Sequence, residues 1–209
     1  MCYLPAGRGC GLIRNIFRKI FQRGVFPIKI LLHTCCGPCS IYPAEYLKGM
    51  GMDVTGFFFN PNIHPYTEFV KRKETLEKYA PEIGLKVIFD GSYLLEDFLR
   101  GVAGRETDRC RFCYEMRLDQ TARAAREGKF DCFSTTLLVS PFQKHELIRE
   151  VGLSAGEKHG VPFYCVDFRS GYRGAAARSR ELGMYRQKYC GCIYSEKDRY
   201  LGHRGRGAG

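Results

Sequence analysis

The chain has 209 residues, 44% hydrophobic and 13% aromatic, enough for a single domain with a real apolar core. No stretch approaches the roughly 18 consecutive apolar residues of a membrane span, so stable membrane anchoring is not expected. The net charge of +11 sits at the ends: residues 1–24 carry five Lys/Arg and no acid, residues 197–209 carry four Lys/Arg and one Asp, and residues 25–196 hold 24 cations against 21 acids, which suits a nucleic-acid partner as well as plain solvated tails.

Residues 12–23 place Leu12, Ile13, Ile16, Phe17, Ile20 and Phe21 at helical spacing with cations between. This predicts a short basic amphipathic helix in an N-terminal extension, 1–27. Arg14, Arg18, Lys19 and Arg23 break it up too often for a signal peptide's apolar core. Eleven cysteines in such a chain therefore point to a reducing cytoplasm and to metal-binding or redox thiols, not to a secreted disulfide scaffold.

The body follows, taken as one α/β catalytic domain over 28–196 with a basic Gly/Arg tail at 197–209. "IKILLHT" (28–34) is a continuous apolar run, the mark of a strand buried on both faces. A helix is predicted from Cys39 to Met50, ended by Gly49 and Gly51. "DVTGFFFN" (53–60) reads as the second strand, "PNIHPY" as a loop, and a charged helix then runs to about Ala80. "LKVIFD" (85–90) is the third strand, followed by a short helix near Leu94 to Leu99. A longer helix covers Cys110 to about Glu127. "FDCFSTTLL" (130–138), a helix over 143–159 and "VPFYCVD" (161–167) complete the pattern. Strands alternating with helices give a Rossmann-like, doubly wound, mostly parallel sheet of about five strands with helices on both faces. In such sheets the active site lies beyond the carboxyl ends of the strands.

That edge collects the thiols. Cys35, Cys36 and Cys39 follow the first strand in "CCGPC". Cys110 and Cys113 open a helix in "DRCRFC", where backbone N–H groups and Arg109 and Arg111 favour thiolate. Two thiolates one turn apart, with two more from "CC", make a set of four that suits either structural zinc or an iron–sulfur cluster. Adjacent Cα atoms are about 3.8 Å apart, and side chains of neighbours diverge, which leans toward different irons of a cluster. Cys190 and Cys192 in "YCGC" read as a redox dithiol or as two more metal ligands. Cys132 and Cys165 lie in predicted strands as small core residues; Cys2 and Cys10 have no assigned role. No G-x-x-x-x-G-K-[ST] and no strand-linked G-x-G-x-x-G occurs, so ATP and NAD sites have no sequence support.

Five stretches together, "LLHTCCGPCS", "FFFNPNIHPYTEF", "DRCRFCYEMRL", "FSTTLLVSPFQKHELI" and "VDFRSGYRGAAARSRELGMYRQKYCGCIYS", resemble the cobalamin-independent epoxyqueuosine reductase family of the QueH type, over about residues 30 to 195. The resemblance implies the last step of queuosine biosynthesis: reduction of epoxyqueuosine to queuosine at the tRNA wobble position. It implies a [4Fe–4S] cluster on Cys35, Cys36, Cys110 and Cys113, a redox-active disulfide between Cys190 and Cys192, an external electron donor and a second metal near the cluster, for which Cys39 is a candidate. The competing reading is a zinc-stabilised tRNA-binding module without catalysis. Another tRNA-modifying enzyme such as a thiolase would normally need an ATP loop. His33, His64, Asn60, Asn62, Asp167, Tyr189 and Tyr194 are polar candidates around the site. Arg173, Arg178 and Arg180, or Arg123, Arg126 and Lys129, are candidate cationic ridges for RNA.

Overall fold

The apolar run after Pro27 becomes strand β1 (Lys29–His33), whose last four residues are fully buried. It is central because both of its edges are paired. A computed structural model describes residues 27–201 of the chain, so the predicted helix at 12–23, Cys2 and Cys10 lie outside the described residues. From β1 the chain runs through α1 (Gly37–Gly49), β2 (Asp53–Phe58), α2 (Tyr66–Tyr79), β3 (Lys86–Phe89) and α3 (Leu95–Val102). It continues through α4 (Arg109–Glu127), β4 (Cys132–Thr135), α5 (His145–His159), α6 (Tyr172–Glu181) and α7 (Ile193–Leu201).

The sheet has the order β3-β2-β1-β4, and every pairing is parallel. Consecutive strands step outward from β1 to β3, then the chain returns to the other side of β1 through α4. The direction of winding thus reverses between β1 and β4, where sheets of this class leave a crevice at their carboxyl edge. α1 packs with α2 and α6, and α4 packs along α5 and against β1 and β4. Among the described residues no helix is long and apolar enough to cross a membrane.

Two expectations need correction. The sheet has four strands, not five. The segment at 161–167 touches it through a single parallel bridge, Phe133 to Phe163, with Phe133 N–H donating to the Pro162 carbonyl at 3.0 Å and Tyr164 N–H to the Phe133 carbonyl at 2.7 Å. Pro162 has no N–H to give, and the Tyr164 carbonyl accepts from the Ser134 hydroxyl at 2.7 Å. Cys165 therefore belongs to a loop, while Cys132 is a fully buried strand residue as expected. The fourth strand stops at Thr135, because the Thr135 hydroxyl accepts from Leu137 N–H at 3.1 Å and caps a 3-10 turn over Thr136–Val139. α7 runs from Ile193 to Leu201, the last of the described residues.

α4 shows how the helices carry the site. Its buried residues are Cys113, Tyr114, Arg117, Leu118, Thr121, Ala122 and Ala125, a stripe at i, i+4, i+8 and i+12. The cysteine and the arginine are therefore built into the core-facing side of the helix.

Candidate active site

The Sγ atoms of Cys35, Cys36 and Cys39 lie within 4.8 Å of one another, and among the described residues this is the group of three or more metal-type ligands gathered so closely. Cys35 and Cys36 follow β1 directly, and Cys39 sits in the first turn of α1. The chain folds this way because Pro38 suits the first turn of a helix, where its missing N–H costs nothing. Cys35 and Cys36 are buried, and Cys39 is half-buried. Hydrogen bonds from the thiols of Cys36 and Cys39 hold Cys35 well below the ordinary thiol range; the Arg117 charge and Thr136 assist against the cost of burial. Thr136 Oγ1 donates to Cys35 Sγ at 3.4 Å. The Gln187 amide donates to Cys36 Sγ at 3.1 Å and to Cys39 Sγ at 3.4 Å.

Cys110 and Cys113 fall outside that group, in the first two turns of α4, within electrostatic reach of Cys190 and Cys192. The expected thiolate bias of a helix start does not prevail there. Burial pushes Cys113 up to about 12 and raises Cys110 as well, ahead of the opposing Lys144, Arg109 and Arg117 charges. Cys190 is exposed and Cys192 buried; both are free thiols. The Gln143 amide donates to Cys190 Sγ at 3.2 Å. Between them Gly191 adopts φ of +150°, and a Cβ there would stand 3.2 Å from Ile63 Cγ1 and 3.3 Å from Asn62 Nδ2. Only glycine fits that turn without displacing its neighbours.

Two buried arginines tie these walls together, and the sequence reading missed both. Arg117, 1% exposed, donates from Nη2 to Asn60 Oδ1 at 2.9 Å and from Nη1 to Cys113 Sγ at 3.7 Å. Its Nε lies 3.3 Å from His33 Nε2, which is also 3.2 Å from the Phe59 carbonyl, while His33 Nδ1 lies 2.8 Å from Thr135 Oγ1. Burial, reinforced by that guanidinium, lowers His33 to about 3, so the ring is neutral. Arg72 pairs with Glu68 at 2.7 Å and donates to the carbonyls of Cys190 at 2.9 Å and Tyr189 at 3.0 Å. Both arginines also act electrostatically on Cys35. The signal was present: each occupies a position on the buried stripe of its helix, where an unpaired cation is costly unless something anionic faces it.

The remaining candidates sort by contact. Asn60 Nδ2 donates to the Thr34 carbonyl at 3.0 Å, so Asn60 links Arg117 to the loop bearing the cysteine triad. Asn62 is buried against Gly191. His64 is buried beside Phe98 and Tyr93, with ring centroids 5.0 Å and 5.9 Å away. The Tyr189 hydroxyl donates to the His64 carbonyl at 2.6 Å. Tyr194 stacks under Arg109, 5.5 Å from its ring centre. Asp167 is taken by Arg169 in a local loop pair at 2.6 Å.

A cavity of about 600 Å³ opens over this assembly, reached by Cys35, Cys39, Cys190 and Arg72. Its rim carries Arg186, Lys188 and Arg199, with Phe142, Tyr172 and Tyr189. Arg173, Arg178, Arg180, Arg123, Arg126 and Lys129 are not among its lining residues. Such a volume is that of a site for a nucleobase-sized ligand, and the arrangement offers it thiols, amide donors and a cationic entrance.

Residues 30–198 match the family model described as Epoxyqueuosine reductase QueH. The chain is 37% identical over 172 residues to Epoxyqueuosine reductase QueH of Dehalococcoides mccartyi, covering 82% of this chain and 94% of the relative. It is 36% identical over 184 residues to the protein of the same name from Thermotoga maritima, covering 83% and 93%. Among solved structures it is similar to a predicted subunit of tRNA methyltransferase from Methanocaldococcus jannaschii, with a TM-score of 0.50 at 15% identity, covering 74% of this chain and 75% of that one. That last likeness concerns the fold alone.

Proposed function

The chain belongs to the QueH family of epoxyqueuosine reductases, and on that premise we propose that it reduces epoxyqueuosine to queuosine at the wobble position of tRNA. The observation that carries this proposal is the cysteine triad beside a cavity that Cys190 also lines, with one sulfur from each cysteine group, Cys35, Cys113 and Cys190, in electrostatic reach of the buried Arg117.

The donor set fits a thiolate-bound iron–sulfur centre. Thiols supply the ligands, and the buried Arg117 and Arg72 supply countercharge for an anionic group. We assign Cys35, Cys36, Cys110 and Cys113 to a [4Fe–4S] cluster and leave Cys39 for a second metal. When bound, such a cluster supplies single-electron transfer. Gln187 and Thr136 orient and polarise the sulfurs they touch.

Removal of the epoxide oxygen consumes two electrons and two protons and releases water. Oxidation of the Cys190 and Cys192 thiols to a disulfide yields that number of each, and an external donor must then restore the pair. Gln143 holds Cys190 at the cavity, and Arg72 fixes the backbone on which both sulfurs ride. The cationic rim suits the tRNA backbone, and the wobble base leaves its stack to enter the cavity. Free thiols and a tRNA substrate fit the reducing cytoplasm.

The test is anaerobic purification with quantification of iron, sulfide and zinc, followed by incubation with epoxyqueuosine-containing tRNA and a reductant. Nucleoside mass spectrometry should show epoxyqueuosine replaced by queuosine, with about four irons and four sulfides per chain. One zinc per chain and no conversion would overturn the assignment.

A further inference from the structure

We propose that Phe142 and Tyr172 form a stacking platform for the anticodon base next to the one admitted to the cavity. The proposal rests on the tRNA substrate inferred above and adds the residues that receive the neighbouring nucleotide.

Phe142 is 82% exposed, the most exposed of the large hydrophobic side chains described. Exposure of a whole phenyl ring gains nothing for the fold, so its place is explained by what it faces. It stands at the cavity rim, with its ring centre 6.0 Å from that of Tyr172 at an interplanar angle of 81°. In an edge-to-face pair, one ring stays open for a further partner.

The ring is also held in position. Phe142 N–H donates to Ser140 Oγ at 3.3 Å, Gln143 N–H to the Ser140 carbonyl at 3.3 Å, and His145 Nε2 lies 2.8 Å from the same carbonyl. The adjacent residue serves the redox pair: the Gln143 amide donates to Cys190 Sγ at 3.2 Å on the same cavity. One short turn therefore carries a redox-site contact at one residue and an open aromatic at the next. A base on Phe142 would sit one nucleotide from a base delivered to Cys190.

The surroundings choose the occupant. Arg186, Lys188 and Arg199 are exposed on the same rim, and among the described residues none has a carboxylate partner. Aromatic faces beside unpaired cations are the construction by which proteins hold single-stranded nucleic acid, with stacking on rings and charge along the backbone. A protein surface would leave the three cations without phosphates, and a lipid surface would offer phosphates but no planar base to stack on the ring.

The experiment uses the full chain with its metal and an anticodon stem–loop RNA carrying epoxyqueuosine, comparing Phe142→Ala and Phe142→Trp with wild type. Stacking predicts a roughly 5- to 150-fold higher Kd and KM in Phe142→Ala, recovery in Phe142→Trp, and an unchanged slope of log Kd against log salt. Arg186→Ala and Lys188→Ala should instead each lower that slope by about one. An unchanged Kd and KM in an active Phe142→Ala protein, or a defect confined to reduction by a protein electron donor, overturns the platform while the proposed function stands. A wild-type protein that neither binds the RNA nor reduces it overturns both.

Discussion

The Arg117 guanidinium lies 3.7 Å from Cys113 Sγ, one turn along α4, with no carboxylate beside it among the described residues. A buried cation of this kind needs an anion, and among the described residues the leading charged contributors facing it are the sulfurs of Cys113, Cys35 and Cys190. Arg117→Met should therefore act twice. It leaves Asn60 Oδ1 without its donor, at a cost of about 1–3 kcal/mol in stability. It also removes positive charge beside the proposed centre, so the reduced, more negative state becomes harder to reach. A melting curve and a potentiometric titration followed by EPR would show a lower midpoint in both. An unchanged potential would make Arg117 a packing residue.

Arg72 does for the dithiol what Arg117 does for the opposite wall. It holds the Tyr189 and Cys190 carbonyls and is itself held by Glu68, which also accepts from the Tyr185 hydroxyl. Arg72→Ala strands a buried carboxylate and two carbonyls, so a loss of about 3–5 kcal/mol is expected. Cys190 should then react faster with an alkylating reagent, as its turn comes loose. Arg72→Lys keeps the charge without the fork and should fall between. Equal labelling rates in wild type and Arg72→Ala would exclude this role.

His64 predicts a pH effect. Burial lowers its folded-state value to about 4, from 6.5 for the free side chain. The folded protein thus keeps the ring neutral where the unfolded chain would protonate it. Stability from this source is complete above pH 6.5 and is lost as pH falls toward 4. At most about 3 kcal/mol is at stake over the whole range before solvent screening reduces it, and about 2 kcal/mol of that is lost by pH 5. Phe98 and Tyr93 already surround the ring, so His64→Phe should fold and show a flatter acid limb. Parallel thermal melts between pH 7 and 5 would decide; identical slopes would rule it out.

How much of this could be read from the sequence depends on range. β1, β2, the cysteine groups and the long helix α4 all follow from local pattern: an apolar run, a period of 3.6 and a Gly stop. That the site lies at the carboxyl edge follows from alternating strands and helices, whereas the order β3-β2-β1-β4, which puts the crevice between β1 and β4, does not. The false fifth strand was an apolar run, 161–167, whose partnership depends on the Ser134 hydroxyl and on Pro162. The Arg117 and Arg72 contacts join residues far apart in the chain, such as Arg117 with His33 and Arg72 with Cys190. No local window contains both partners. The clue that was available, an arginine on the buried stripe of an amphipathic helix, signals that a partner exists but not which one.

The cysteines should separate by role. Cys110→Ala removes a ligand from the proposed four and should abolish the cluster, leaving a colourless protein. Cys190→Ser should keep iron and sulfide at wild-type levels yet lose turnover, since serine cannot form the disulfide. Cys39 is the informative case. Its Sγ lies within 4.8 Å of those of both Cys35 and Cys36, and Gln187 bridges it to Cys36, so it is placed to ligate. If Cys39 serves a second metal, Cys39→Ala retains the four irons and four sulfides and loses only the additional metal. If iron and sulfide fall together instead, Cys39 belongs to the cluster. One of Cys110 and Cys113, which stand apart from the triad on α4, would then be free for other chemistry. Metal analysis of the three variants beside wild type distinguishes these outcomes, and a colourless Cys190→Ser protein would refute the separate dithiol.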